Sequence, residues 1–208
     1  MKYKLLAGIL AFLSAGTINA QENEQGQDKS LYLKGNALFA PIGIINVGVE
    51  KQLSPKYTIQ ADAFISPWKS FAGHKMQIYS VSVEGRYYFT EAFKHWYIGA
   101  NLGFSAFNLQ KWNYWKDSIY TNDSGENFIT SNLYQKGVSF TLGVTGGYQF
   151  QLSDRWNLDI YATVGTSQGF YKGYDKTTEQ RYDQPSGINK SGEIIPYRGG
   201  VMISYKLK

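Results

Sequence analysis

The sequence contains no cysteine, only two histidines and five prolines, and a single uninterrupted apolar run. Without cysteine there is no disulfide, no thiolate metal site and no cysteine nucleophile. Two histidines, His74 and His95, lie far apart with no clustered carboxylates beside them, which argues against a metal centre. No glycine-rich phosphate loop is present, and the 22 glycines scatter through the chain. No cofactor is expected. The apolar run, Leu5 to Gly16, is too short to cross a bilayer as a helix, which takes about 20 residues.

That run does have the flanks of an export signal. Lys2 and Lys4 precede it, and Thr17-Ile18-Asn19-Ala20 offers a small-residue cleavage site after it. Residues 1–20 are therefore expected to be a signal peptide, and the polar stretch 21–30 a disordered lead-in. Cleavage removes two lysines and no acid, so 21 basic residues against 16 acidic become 19 against 16, a charge of +3. That is too weak to argue for nucleic acid.

What is abundant is tyrosine, at 17 residues, and an apolar–polar alternation through most of 31–208. Tyr79, Val81, Val83, Gly85, Tyr87 and Phe89 alternate with Ser80, Ser82, Glu84 and Arg86. Val138, Phe140, Leu142 and Val144 alternate with Ser139, Thr141, Gly143 and Thr145. A period of two is that of a strand with unlike faces. Eight such stretches occur, near 31–39, 44–53, 57–66, 76–89, 95–109, 136–152, 156–171 and 194–207. Most reach the 9–11 residues or so that a tilted strand needs to span a membrane.

The connections alternate too. Those at 54–56, 90–94 and 153–155 are short, while 67–75, 110–135 and 172–193 are long; 40–43 is short where a long one is due. Tyr57, Phe89, Trp96, Phe150, Trp156 and Tyr205 lie on the apolar face beside a short turn or the C-terminus, as an interfacial girdle would. The pattern predicts an all-β fold: an eight-stranded antiparallel up-and-down transmembrane β-barrel behind a signal peptide, monomeric in the outer membrane of a Gram-negative cell. The competing arrangement is a soluble lipocalin-like barrel, with its apolar faces turned inward. The polar faces here carry mainly Ser, Thr, Gly, Asn and Gln, and a solvated surface would carry more Lys and Glu.

The inward set includes Lys34, Asn36, Gln60, Asn101 and Gln149 with Glu50, Asp62, Glu84, Arg86, Asp159 and Arg198. Eight strands leave room for side chains and not for a wide channel. These groups are expected to pair across the lumen as a plug: Arg86 with Glu84, Glu50 or Asp159 near the periplasmic end, and Arg198 with Asp62 higher up. The loops hold the candidate binding residues, Trp112, Tyr114 and Trp115, suited to stacking on a sugar or anchoring a protein. His74 lies near Ser66 and Ser70, and an activated serine needs a base within hydrogen-bond reach. No carboxylate is spaced to orient His74, so an enzyme is not expected.

The ordered motifs Asn36-Ala37-Leu38, Gly48-Val49-Glu50, Glu84-Gly85-Arg86-Tyr87-Tyr88, Gly146-Gly147-Tyr148-Gln149 and Arg155-Trp156-Asn157-Leu158-Asp159 resemble the family called domain of unknown function 3575, from about residue 34 to 208. The resemblance implies an outer-membrane location in Bacteroides-type bacteria, often beside surface-fimbria genes, and no defined activity. Members often carry cysteines in the last long loop, where this chain has none. It ends Tyr205-Lys206-Leu207-Lys208, where many outer-membrane barrels end in an aromatic residue. The function expected is non-enzymatic display of loops for adhesion, fimbria-associated or envelope-integrity roles, toward a surface or fimbrial protein or a glycan, with outer-membrane lipid around the barrel. A lipid-A-modifying enzyme and a narrow pore are the alternatives.

Overall fold

A computed structural model describes residues 29–183 and 189–208, the side chains of 189 and 190 excepted. The expected signal peptide and all but the last two residues of the lead-in lie outside the described residues. In chain order the strands are β1 (Leu31–Asn36), β2 (Ile45–Gln52), β3 (Tyr57–Phe71), β4 (His74–Tyr88), β5 (His95–Leu109), β6 (Ile119–Thr121), β7 (Asn127–Ile129), β8 (Leu133–Gln151), β9 (Trp156–Asp175) and β10 (Asn189–Lys206).

Eight of these form one closed antiparallel barrel in the order β1-β10-β9-β8-β5-β4-β3-β2. Closure is by β1 against β10, with Tyr32 opposite Lys206 and Asn36 opposite Met202. The remaining two, β6 and β7, form a small hairpin inside the β5–β8 connection. No described helix is long and apolar enough to cross a membrane, which says nothing of a barrel.

The alternation resolves into an inside and an outside, and the barrel is polar within. Glu50, Gln60, Glu84 and Asp159 are 0% exposed, whereas Val81 is 58%, Leu102 63% and Phe140 54% exposed. A lipocalin-like barrel has the opposite arrangement.

The long connection expected at 67–75 is corrected. β3 runs through Pro67 to Phe71, β4 resumes at His74, and only Ala72-Gly73 lies between. Both turn residues have positive φ, 49° and 85°, which a two-residue type I′ turn requires. Pro67 reads as a strand breaker because it lacks an N–H. Yet β2 stops pairing at Ile45↔Ile65, so beyond Ile65 that edge of β3 is free and a missing donor costs little. Pro196 occupies the matching position in β10. It sits at a bulge beyond the end of β1, and the strand continues back to Asn189 instead of starting near 194.

Six strands of the wall are thus 15–20 residues long, while β1 and β2 have six and eight. The rim is low on the β1–β2 side. The β1–β2 connection, with a 3-10 turn at Ala40–Ile42, leans on the tall wall there. The Phe39 ring meets Phe64 edge-on at 5.4 Å, and Trp68 Nε1 donates to the Ile42 carbonyl at 2.9 Å.

Candidate functional site

Three layers stack within the barrel, beginning at the short-turn end. The lowest is a cork. The β4–β5 connection folds under the barrel and puts Phe93, 5% exposed, into its mouth. Phe93 packs on Tyr32 at 4.4 Å and Tyr88 at 6.1 Å between ring centroids, and its carbonyl accepts from Asn157 Nδ2 at 3.3 Å. Its φ of 68° is a conformation most side chains avoid.

Above the cork is an ionic layer of three cations and four carboxylates. Lys34 Nζ lies 2.7 Å from Glu50 and 2.6 Å from Asp159. Arg86 reaches Glu84 at 2.6 Å, Asp159 at 2.8 Å and Glu50 at 3.1 Å. Arg198 pairs with Glu84 at 2.6 Å and with Asp62. Lys34, Glu50, Glu84, Arg86 and Asp159 have side chains wholly out of solvent. The remaining lone pairs are met by hydroxyls. Thr58 donates to Glu50 at 2.6 Å, Tyr88 to Glu50 at 2.8 Å, Tyr97 to Asp159 at 2.8 Å, and Thr145 to Glu84 at 2.6 Å. Burying charge is costly unless it is paired and hydrogen-bonded, and here one carboxylate after another is both.

The structure therefore brings Glu50, Asp62, Glu84, Arg86, Asp159 and Arg198 into one network. Three pairs go beyond that expectation: Lys34 joins both Glu50 and Asp159, and Arg198, beside its expected partner Asp62, also reaches Glu84. Tyr88, Tyr97 and Phe93 escaped sequence reasoning. The two tyrosines sit on inward positions of β4 and β5, so parity could have found them. Only the inward folding of a turn could have found Phe93.

The third layer corrects the expectation of a filled lumen. Above Asp62 and Arg198 the barrel encloses a vestibule of about 980 Å³. Its β8–β10 wall carries Ser139, Thr141, Ser167, Gly169 and Ser191, too small to meet the opposite side. On the β3–β5 wall Phe64, Met76, Ile78, Phe107 and Leu109 line the cavity together with Ser80, Ser82 and Ser105. Ligand cavities of roughly 300–1,000 Å³ with apolar walls and a few polar groups are typical.

A canopy covers part of the mouth. Phe128, Leu133 and Tyr182 form a small core, with Tyr114 and Tyr120 against it. Burial raises the Tyr182 phenol well above its ordinary pKa, and the neighbouring Tyr114 pushes the same way. Gln110, 4% exposed, fastens the canopy by donating to the carbonyls of Tyr114 at 3.1 Å and Ser131 at 2.8 Å. The three candidate loop residues do not act alike. Trp112 is 82% exposed, Tyr114 packs on Tyr182, and Trp115 stacks on His74 at 4.3 Å.

His74 meets Gln110 Oε1 at 3.1 Å, and Ser66 Oγ donates to the Met76 carbonyl at 2.5 Å. Each is bonded to something other than the other. His95, beside the turn at the far end, lies 3.3 Å from Thr90 Oγ1. Among the described residues no three metal-ligating side chains gather.

A family model described as Protein of unknown function (DUF3575) matches residues 8–207. No curated protein and no solved structure matches.

Proposed function

The chain belongs to that family, and we propose that it is a non-enzymatic β-barrel of the outer membrane, sealed toward the periplasm and presenting its vestibule and canopy to the outside. The observation that carries this is the inverted burial: an enclosed charged layer within and an apolar belt without. Trp96, Trp156, Phe150 and Tyr57, all 43–63% exposed, ring one end of the belt. From Trp96 to Ala106 the outward face of β5 runs ten residues. At ~3.3 Å per residue and ~40° of tilt this is roughly 25 Å, the height of an outer-membrane apolar band. Six long strands and the canopy extend beyond it.

The export signal at 1–20 agrees with this location. Two stacked seals argue against a narrow pore, and the separate bonding of His74 and Ser66 argues against lipid-A chemistry. The exposed Trp112 at the vestibule mouth suits a glycan or a surface or fimbrial protein as partner.

The test is on the full chain and on a chain lacking residues 112–131. Both should fractionate with outer membranes and run faster on gels when unheated, as folded barrels do. Only the full chain should bind purified fimbriae or a glycan array. Absence of the heat-dependent shift in the full chain overturns the barrel's place in the membrane. Equal binding by both chains overturns loop display.

A further inference from the structure

On the outer surface the apolar belt ends abruptly along β4, β5 and β8, while on β9 the polar Thr166 and Gln168 already stand between Val164 and Phe170. Tyr79, Ala106, Val138 and Phe170 form one registered row across β4, β5, β8 and β9. The next row outward, two residues further on each strand, is Gln77, Asn108, Lys136 and Lys172. Lys136 and Lys172 are directly opposite each other and both exposed. Side chains so placed have Cβ atoms about 5 Å apart, and like charges there repel. Above them Lys75 extends over the Tyr134 ring, 3.9 Å from its centroid, and Tyr134 stacks on Tyr174. Among the described residues none of these three lysines forms an ion pair. Asp175, the carboxylate next along β9, is buried and accepts from the Thr177 and Thr178 amides.

We propose that Lys136 and Lys172, with Lys75 beside them, bind the phosphate of a phosphorylated lipid headgroup in the outer leaflet. The inference rests on the membrane reading above. The level is right: the pair stands two residues, or about 5 Å, past the belt, where headgroups begin. The chemistry is right as well. Two lysines set opposite each other, with no ion-pair partner among the described residues, gain from a dianion between them, and lysine serves as a point charge for phosphate. Gln77 and Asn108, themselves 3.4 Å apart, add amide donors on the same row. The acyl chains of such a lipid would lie along Val138, Phe140 and Phe104 below.

The probe is purified lipid A in detergent micelles, against its dephosphorylated form and against inorganic phosphate at equal phosphate concentration. Lipid A should raise the temperature at which the folded gel band of the full chain is lost, and neither control should. Lys136→Glu turns the repelling pair into an attracting one. It should keep or raise that temperature in plain detergent, yet bind lipid A at least about fivefold more weakly, since interfacial lysines attract anionic headgroups at about that strength each. Unchanged lipid A binding by Lys136→Glu overturns the proposal, as does equal stabilisation by dephosphorylated lipid. Stabilisation by inorganic phosphate alone assigns the site to free phosphate and overturns the lipid. If Lys136→Glu loses the folded band, the Lys136→Gln/Lys172→Gln chain is judged by the same criteria. A wild-type chain with no folded band at all overturns the membrane reading itself, which separates the two failures.

Discussion

Arg86 is the residue on which the interior turns. It touches Glu50, Glu84 and Asp159 together, and its guanidinium stacks on the Tyr97 ring at 4.4 Å. Removing it leaves three carboxylates short of positive charge where water does not enter. Arg86→Ala should cost about 3–5 kcal/mol, the range for breaking a buried pair. Arg198→Ala should cost distinctly less, because its side chain borders the vestibule at 12% exposure and water can replace it. Urea unfolding in detergent, followed by tryptophan fluorescence, measures both; equal losses would mean that the vestibule is as dry as the layer beneath it. Much of this layer is legible in sequence, because strand parity puts Glu84 and Arg86 on one face with Glu50 and Asp159. Parity does not tell which partners meet across a lumen. Lys34 was on the correct face, but its contact with Asp159, 125 positions away, depends on how the closed sheet is staggered.

Among the elements, those that follow alternation were readable and those governed by edges were not. β5 spans His95–Leu109, as the pattern predicts. β3, β4 and β10 extend past their expected limits because Pro67 and Pro196 sit where β1 and β2 have ended, so the prolines break nothing. The canopy escaped notice for a different reason. Its core pairs residues from separate loops, Phe128 and Tyr182, and no periodicity links them. Its buried phenol should also make it respond to alkaline pH. The folded-state pKa of Tyr182 lies above its ordinary value of 10.0, so its contribution is complete below pH 10 and is lost as the pH rises toward the folded value. Protease nicking of the canopy should therefore accelerate above pH 10 while the barrel stays intact. In Tyr182→Phe that acceleration should be much reduced. A nicking rate independent of pH in the parent chain would contradict it.

At the scale of the whole molecule, the cork and the ionic layer lie in series across the same passage. Each should be sufficient to stop ions. In planar bilayers Arg86→Ala alone and Phe93→Gly alone should be silent, and the double variant should conduct. Glycine suits position 93 because it accepts the positive φ without strain. Conductance from either single variant would reduce the two barriers to one. The overall architecture was accessible from eight alternating stretches and their turns. The vestibule was not, since it results from small residues on β8 to β10 that fall short of the opposite wall, a matter of summed volume and not of pattern.

The uneven rim has a directional consequence. β3 climbs six residues beyond its last partner on β2, roughly 15 Å allowing for tilt, so the cup has a spout. A guest descending from straight above meets the canopy, whereas one approaching from the side meets the lowest lip at β1 and β2. The molecule thus has a front and a back about its barrel axis, and a partner approaching from the side must face the low lip to reach the vestibule.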